Sequence, residues 1–155
     1  SRDLGITKKQ AEQYIKDYFE TYPKVKEYMD SLVEMGKSKG YVTSLYGRRR
    51  PIPELSAKNF MQRQFGERIA MNSPIQGTAA DIIKIAMNRV DARLRKENMQ
   101  SRLILQIHDE LLVETKIEEI EEVSHILNEE MIHAAALKVP LIADVKQGTT
   151  WYEAK

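Results

Sequence analysis

The chain contains no cysteine. That excludes disulfides, thiol catalysis and thiolate zinc sites, and it is compatible with a reducing cytosol. No apolar run approaches the roughly 20 residues of a membrane-spanning helix. No signal-peptide core stands at the N-terminus. A cytoplasmic location with no membrane partner is therefore expected. Internal repeats, low-complexity tracts and linkers are also missing. So is any charge excess: 24 Lys and Arg stand against 23 Asp and Glu, a net charge of +1 that names no partner. The opening Ser1-Arg2-Asp3 carries no signal for the beginning of a fold, which suggests a piece of something larger.

What remains is 155 residues, one domain's length, with 42% hydrophobic and 30% charged residues, as in an ordinary globular protein. The charge is unevenly placed. Arg48, Arg49, Arg50, Lys58, Arg63 and Arg68 face only Glu54 and Glu67 over their stretch, whereas the stretch from Lys116 to Glu130 has six glutamates and one lysine. The first region suits a polyanion and the second repels one.

Helical spacing dominates. Thr7-Lys8-Lys9-Gln10 fits a capping box. Ala11, Tyr14, Ile15, Tyr18, Phe19 and Tyr22 then form one stripe, read as core packing. Pro23 suits the first turn of a second helix, which Gly36 or Gly40 ends. Tyr41 to Tyr46 is strand-like, and Pro51 and Pro53 turn the arginine run into an extended, exposed loop. Those arginines suit phosphates bidentately. They equally suit a solvated turn or pairing with the acidic helix after Lys116. Ser56 is the expected cap of the next helix. Ser73-Pro74-Ile75-Gln76 reads as a fresh helix start with Ser73 capping, and Asp81 falls in the first turn of the long helical stretch that begins at Ala79. The same stretch has a second reading: Arg68, Asn72 and Gln76, four apart, present one polar face whose amides suit minor-groove acceptors. A long helix runs from Ala79 to about Lys96, another from Ile117 to about Leu137. Val139 to Val145 reads as a last edge strand.

Two apolar runs, Leu103–Ile107 and Leu111–Val113, flank His108-Asp109-Glu110. They read as a hairpin with an imidazole and two carboxylates at its tip. Carboxylates are hard ligands suited to Mg²⁺. Asp is also an ordinary turn residue, so the stretch alone does not separate a metal site from a solvated turn. A metal-dependent hydrolase built on His108 and Asp109 needs further ligands, and His125 and His133 sit on a separate acidic helix. About four strands and predominant helices give an α+β class, an antiparallel sheet with its β-hairpin, backed by long amphipathic helices.

Taken together, Glu67-Arg68-Ile69-Ala70-Met71-Asn72-Ser73-Pro74-Ile75-Gln76-Gly77-Thr78-Ala79-Ala80-Asp81-Ile82-Ile83-Lys84 and Leu105-Gln106-Ile107-His108-Asp109-Glu110-Leu111 resemble the C-terminal part of a family A DNA polymerase, the bacterial DNA polymerase I family. Tyr46-Gly47-Arg48-Arg49-Arg50 and Gly148-Thr149-Thr150-Trp151-Tyr152 fit as well, so the likeness covers nearly the whole chain. The resemblance implies a palm-like sheet and places residues 1–40, as a helical pair, in the fingers region. Residues 41–155 supply the remaining fingers helices and palm as one partial domain. It also implies template-directed nucleotidyl transfer to a primer 3′ end, in replication or repair, in a bacterial cytosol or nucleoid. Asp109 corresponds to one of two aspartates that bind two Mg²⁺ ions, with Glu110 supporting. His108 approaches the primer terminus. Arg68, Asn72 and Gln76 line the template–primer cleft, and Arg48, Arg49, Arg50 and Arg63 add to the DNA surface. The implied partners are template–primer duplex DNA, deoxynucleoside triphosphates and the rest of the polymerase chain. The family's motif A aspartate and nucleotide-binding fingers helix find no match, so the 155 residues alone are expected to be inactive. The alternative is a non-catalytic DNA-binding or structural module.

Overall fold

Thr7 opens the first helix. Its side-chain oxygen accepts from the Gln10 backbone at 3.3 Å, and the Gln10 side chain accepts from the Thr7 N–H at 2.9 Å. Two donors that a helix start leaves unpaired are thus satisfied reciprocally. This is α1 (Lys8–Thr21) of a computed structural model that describes residues 5–154; Ser1 to Asp3 lie outside them. Helix α2 (Pro23–Lys39) follows, with Pro23 in its first turn and Gly40 closing it at φ +75°. The aromatic stripe of α1 is not core, contrary to expectation. Tyr14, Tyr18 and Tyr22 are 60%, 50% and 54% exposed, and α1 buries no residue. Helical spacing shows that a face is apolar, not that the same chain covers it.

Residues 1–76 form one compact unit and 77–155 another. In the first unit, β1 (Tyr41–Thr43) pairs antiparallel with β2 (Arg49–Pro51), Val42 opposite Arg50. The arginine run is therefore a strand and not a loop, though it stays exposed. Ile52 donates to the Gly40 carbonyl at 2.9 Å. Pairs alternate along an antiparallel ladder, so Pro51 opposite Tyr41 falls where no N–H is required. Pro53–Ser56 form a short 3-10 turn led by its proline. Val42, Ile52, Leu55 and Ala70 make the core, with Val33 and Ile69 against them. Val42 and Ile52 are fully buried, each contributing roughly 1.5–3 kcal/mol by leaving water.

Helix α3 (Phe60–Lys96) is capped by Asn59, not Ser56: the Asn59 side-chain oxygen accepts from Met61 N at 2.8 Å and Gln62 N at 3.4 Å. The helix continues through Pro74, so Ser73 and Gln76 start nothing. Proline removes one intrahelical bond, the one to the carbonyl of Ala70, at a cost of about 3 kcal/mol. Ala70 and Pro74 are both buried, and that packing outweighs the loss. Asp81 consequently lies in mid-helix and buried, not in a first turn.

In the second unit, Asn98 at φ +55° ends α3, with Met99 N donating to the Leu94 carbonyl at 3.0 Å. Strands β3 (Arg102–Ile107) and β4 (Glu110–Glu114) pair antiparallel, with a bulge at Ile104 between Leu103 and Leu105. Leu111 and Val113 pack onto a core of Val90, Leu94, Val123 and Ile126. Helix α4 (Ile120–Ile132) is shorter than the spacing suggested. Ile117–Glu119 form a 3-10 turn because the Glu119 carboxylate is drawn back to accept from Gln100 N at 2.9 Å, Ser101 N at 2.8 Å and the Ser101 hydroxyl at 2.5 Å. Arg93 ties α3 to α4 by donating to Glu129 at 2.7 Å and Glu130 at 3.1 Å, and it pairs Glu97 at 2.5 Å on its own helix. The expected strand over Val139–Val145 does not form: among the described residues no strand lies beside it. Its backbone is held instead by Asn128, whose amide donates to the Ala143 carbonyl at 2.8 Å. The class is α+β with helices dominant, but the strands form two separate two-stranded sheets, not one. Among the described residues no helix is long and apolar enough to cross a membrane.

Candidate active site and nucleic-acid interface

Ile107 pairs with Glu110, which leaves His108 and Asp109 as a two-residue turn between β3 and β4. Glu110 is thus the first residue of β4 and not part of the turn. His108 has φ +51°, the left-handed conformation that glycine adopts freely and that other residues take at a cost, least for Asn, Asp and His. The Gln106 amide donates to the His108 carbonyl at 2.8 Å and braces the turn. Behind it, Leu111 and Val113 fix the hairpin to the core. His108, Asp109 and Glu110 are all exposed. Asp109 and Glu110 line one open cleft of about 370 Å³ with Met131, Asp144, Lys146 and Trp151.

This donor set fits part of a Mg²⁺ site. Magnesium takes one or two carboxylates and fills its octahedron with waters and phosphate oxygens. Asp109 and Glu110 offer the carboxylates on a rigid base. Among the described residues no three His, Asp or Glu side chains gather as a complete cluster.

The first unit holds the other candidates. Arg68, Asn72 and Gln76 are exposed on α3, four residues apart, and α3 is continuous across them. Eight residues of helix advance about 12 Å, and steps of four drift only slightly around the axis, so the three share one face. The Arg68 guanidinium stands 5.7 Å from the Phe65 ring centre. Arg48, Arg49 and Arg50 are exposed on or beside β2, with Arg49 4.8 Å above the Tyr41 ring. Arg63 is differently employed. One of its nitrogens donates to the Ala57 carbonyl at 3.0 Å and the Lys58 carbonyl at 2.7 Å, tying the loop that leads into α3. A guanidinium has five N–H donors, so others remain for a phosphate. The predicted residues therefore fall into two groups, Arg48 to Gln76 in the first unit and His108 to Glu110 in the second.

Two contributors were not singled out from sequence. Gln106 reads there as one polar residue in an apolar strand, and only the fold reveals its bond to the turn. The continuity of α3 through Pro74 is what gives Arg68, Asn72 and Gln76 a common face, and proline points locally to the opposite conclusion.

The family model described as DNA polymerase family A matches residues 1–153. The DNA polymerase I of Bacillus subtilis is 52% identical over 155 residues, that of Geobacillus stearothermophilus 51% and that of Caldicellulosiruptor bescii 50%. Each match covers 100% of this chain and 18% of the relative, so the chain spans less than a fifth of the length of the curated relatives it matches. Among solved structures, the POL domain of Pol1 from M. smegmatis in complex with DNA primer-template and dNTP is 39% identical, with a TM-score of 0.94. That match covers 99% of this chain and 27% of the other.

Proposed function

The chain belongs to DNA polymerase family A, and we propose that it is the part of a DNA-directed DNA polymerase that carries one catalytic carboxylate and part of the template–primer surface. The observation that carries this is the turn itself: an imidazole in a strained left-handed conformation beside two exposed carboxylates, on a hairpin fixed to a core. Strained positions of this kind cluster at functional sites, where the surrounding structure holds them.

In this reading Asp109 holds catalytic Mg²⁺, with Glu110 supporting. The metal, when bound, supplies charge neutralisation for an in-line phosphoryl displacement at the primer 3′-hydroxyl. His108 orients the primer terminus. Arg68, Asn72 and Gln76 follow the minor groove of the nascent duplex, where the acceptors are nearly the same on every correctly shaped pair. Contacts there test geometry and not sequence. Arg48, Arg49, Arg50 and Arg63 meet phosphates.

The test is Asp109→Asn in the full polymerase. Incorporation falls on the order of a hundredfold or more, while affinity for primer–template DNA is kept. Unchanged incorporation would reduce the hairpin to a structural turn. The 155-residue polypeptide by itself does not extend a primer on this reading, because the second aspartate and the triphosphate-binding helix that the family uses have no counterpart in it.

A further inference from the structure

The β1–β2 hairpin ends in two large side chains that lie open to solvent. Leu45 is 67% exposed and Tyr46 47%, while Val42 and Ile52 at its base are fully buried. The tip is not loose. Buried Ser44 donates its N–H to the Arg48 carbonyl at 2.9 Å, and its carbonyl accepts from Gly47 N at 3.0 Å. Its hydroxyl accepts from Arg48 N at 3.2 Å. Gly47 turns the chain at φ +79° without strain. The sequence thus builds a rigid mount and places a Leu and a Tyr in water at its end.

The charge around the tip indicates what meets it. In this unit Lys8, Lys16, Lys24, Lys26 and Lys37 each pair with a carboxylate. No ion pair described engages Arg49 or Arg50. On the hairpin the positive charge is carried by guanidinium groups, whose planar forks match phosphate oxygens. An aromatic face set among such groups is the combination that binds a single nucleic-acid strand: bases stack on the ring and phosphates meet the cations. Duplex DNA, with its bases already stacked on each other, offers the ring nothing.

We propose that Tyr46, with Leu45 beside it, is a stacking platform for an unpaired base of the template strand, whose phosphates are held by Arg49 and Arg50. This rests on the polymerase reading and adds to it a contact with single-stranded template. The test is carried out on the full polymerase, by fluorescence anisotropy, with two probes: a primer–template bearing a 5′ single-stranded template extension, and a blunt duplex of the same paired length. Tyr46→Ala weakens binding of the extended DNA by about five- to tenfold, the order of one base–aromatic stack. Binding of the blunt duplex is unchanged, and Tyr46→Phe keeps the parent's preference. Equal losses on both DNAs, or no loss on either, would overturn the platform and leave the polymerase reading intact. Failure of the parent enzyme to bind either DNA would overturn both.

Discussion

Two glycines in helices of the first unit meet the same residue, Leu55, in different ways, and that difference can be measured. Gly36 lies in α2 and Gly66 in α3. Replacing either with Ala improves helix propensity by about 0.5–1 kcal/mol. What the new methyl meets decides the sign. At Gly36 it would stand 2.6 Å from Leu55 Cδ1, with Ala70 Cβ at 3.6 Å and Val42 Cγ1 at 3.7 Å in ordinary contact. One methyl at the end of a leucine must retreat by about 1 Å to reach normal separation. At Gly66 it would stand 2.9 Å from Leu55 N, 3.1 Å from the Glu54 carbonyl carbon and 3.1 Å from Glu54 Cβ. Those atoms belong to the backbone of the 3-10 turn or are attached directly to it, and they cannot rotate away.

Overpacking costs about 1–3 kcal/mol. Gly36→Ala belongs near the low end, where the propensity gain nearly cancels it. Gly66→Ala belongs near the high end, for a net loss of about 2 kcal/mol, a large share of a typical domain's stability. The assay is urea unfolding of the 155-residue polypeptide followed by tyrosine absorbance. Tyr14, Tyr18, Tyr22, Tyr28, Tyr41 and Tyr46 all lie in the first unit, and the single Trp, Trp151, in the second. The seventh tyrosine, Tyr152, lies in the second unit but is already 92% exposed, so the tyrosine change on unfolding reports chiefly the unit in question. Gly66→Ala should unfold at clearly lower urea than Gly36→Ala. Equal midpoints, or the reverse order, would refute the claim that the backbone of Glu54 and Leu55 presses on Gly66.

Two further outcomes follow from the second unit. The Glu119 carboxyl is held below its usual value of 4.5, first by the N–H of Gln100 and then by the hydroxyl of Ser101. A group whose pKa is lower folded than unfolded stabilises fully above the unfolded value and ceases to do so as pH falls through the folded value. Glu119→Gln should therefore flatten the acid limb of a stability–pH curve below 4.5, and an unaltered limb would count against the clasp. His108→Gly should raise the stability of the polypeptide by up to about 1 kcal/mol in thermal unfolding read at Trp151, because glycine adopts a positive φ freely. A loss of stability would mean that the turn is not strained.

The sequence was most legible where one local interaction decides the outcome. The Thr7 capping box, the Pro23 start, the Gly40 stop and the flanking apolar runs of the β3–β4 pair were all readable that way. It was least legible where a neighbour decides. Tyr14, Tyr18 and Tyr22 have the spacing of a core face, but packing is a property of two surfaces and the chain supplies one. Val139–Val145 has the residues of a strand, but a strand needs a partner for its backbone. Pro74 has the residue type of a helix start, but burial overrode it. At the candidate site the acidic pair Asp109 and Glu110 was readable by type. The polar face on α3 was readable by spacing, but it depended on a helix that Pro74 locally signals to end.

The strongest physical argument for chemistry at the hairpin comes from comparing its turn with the chain's other left-handed positions. Among the described residues these fall at Gly5, Gly40, Gly47, Asn98 and His108. Glycine takes this conformation without penalty, and asparagine is the side chain that tolerates it best, since its short amide can bond locally. Four of the five positions therefore use the relaxed solution. The fifth places an imidazole there, where glycine would fold more easily. A side chain held at a conformational cost, beside a carboxylate and at the exposed end of a braced hairpin, is the arrangement that the proposed role at the primer terminus calls for. The cost falls on the residue that the polymerase reading places at the primer terminus. A histidine in a relaxed turn would have carried no such weight.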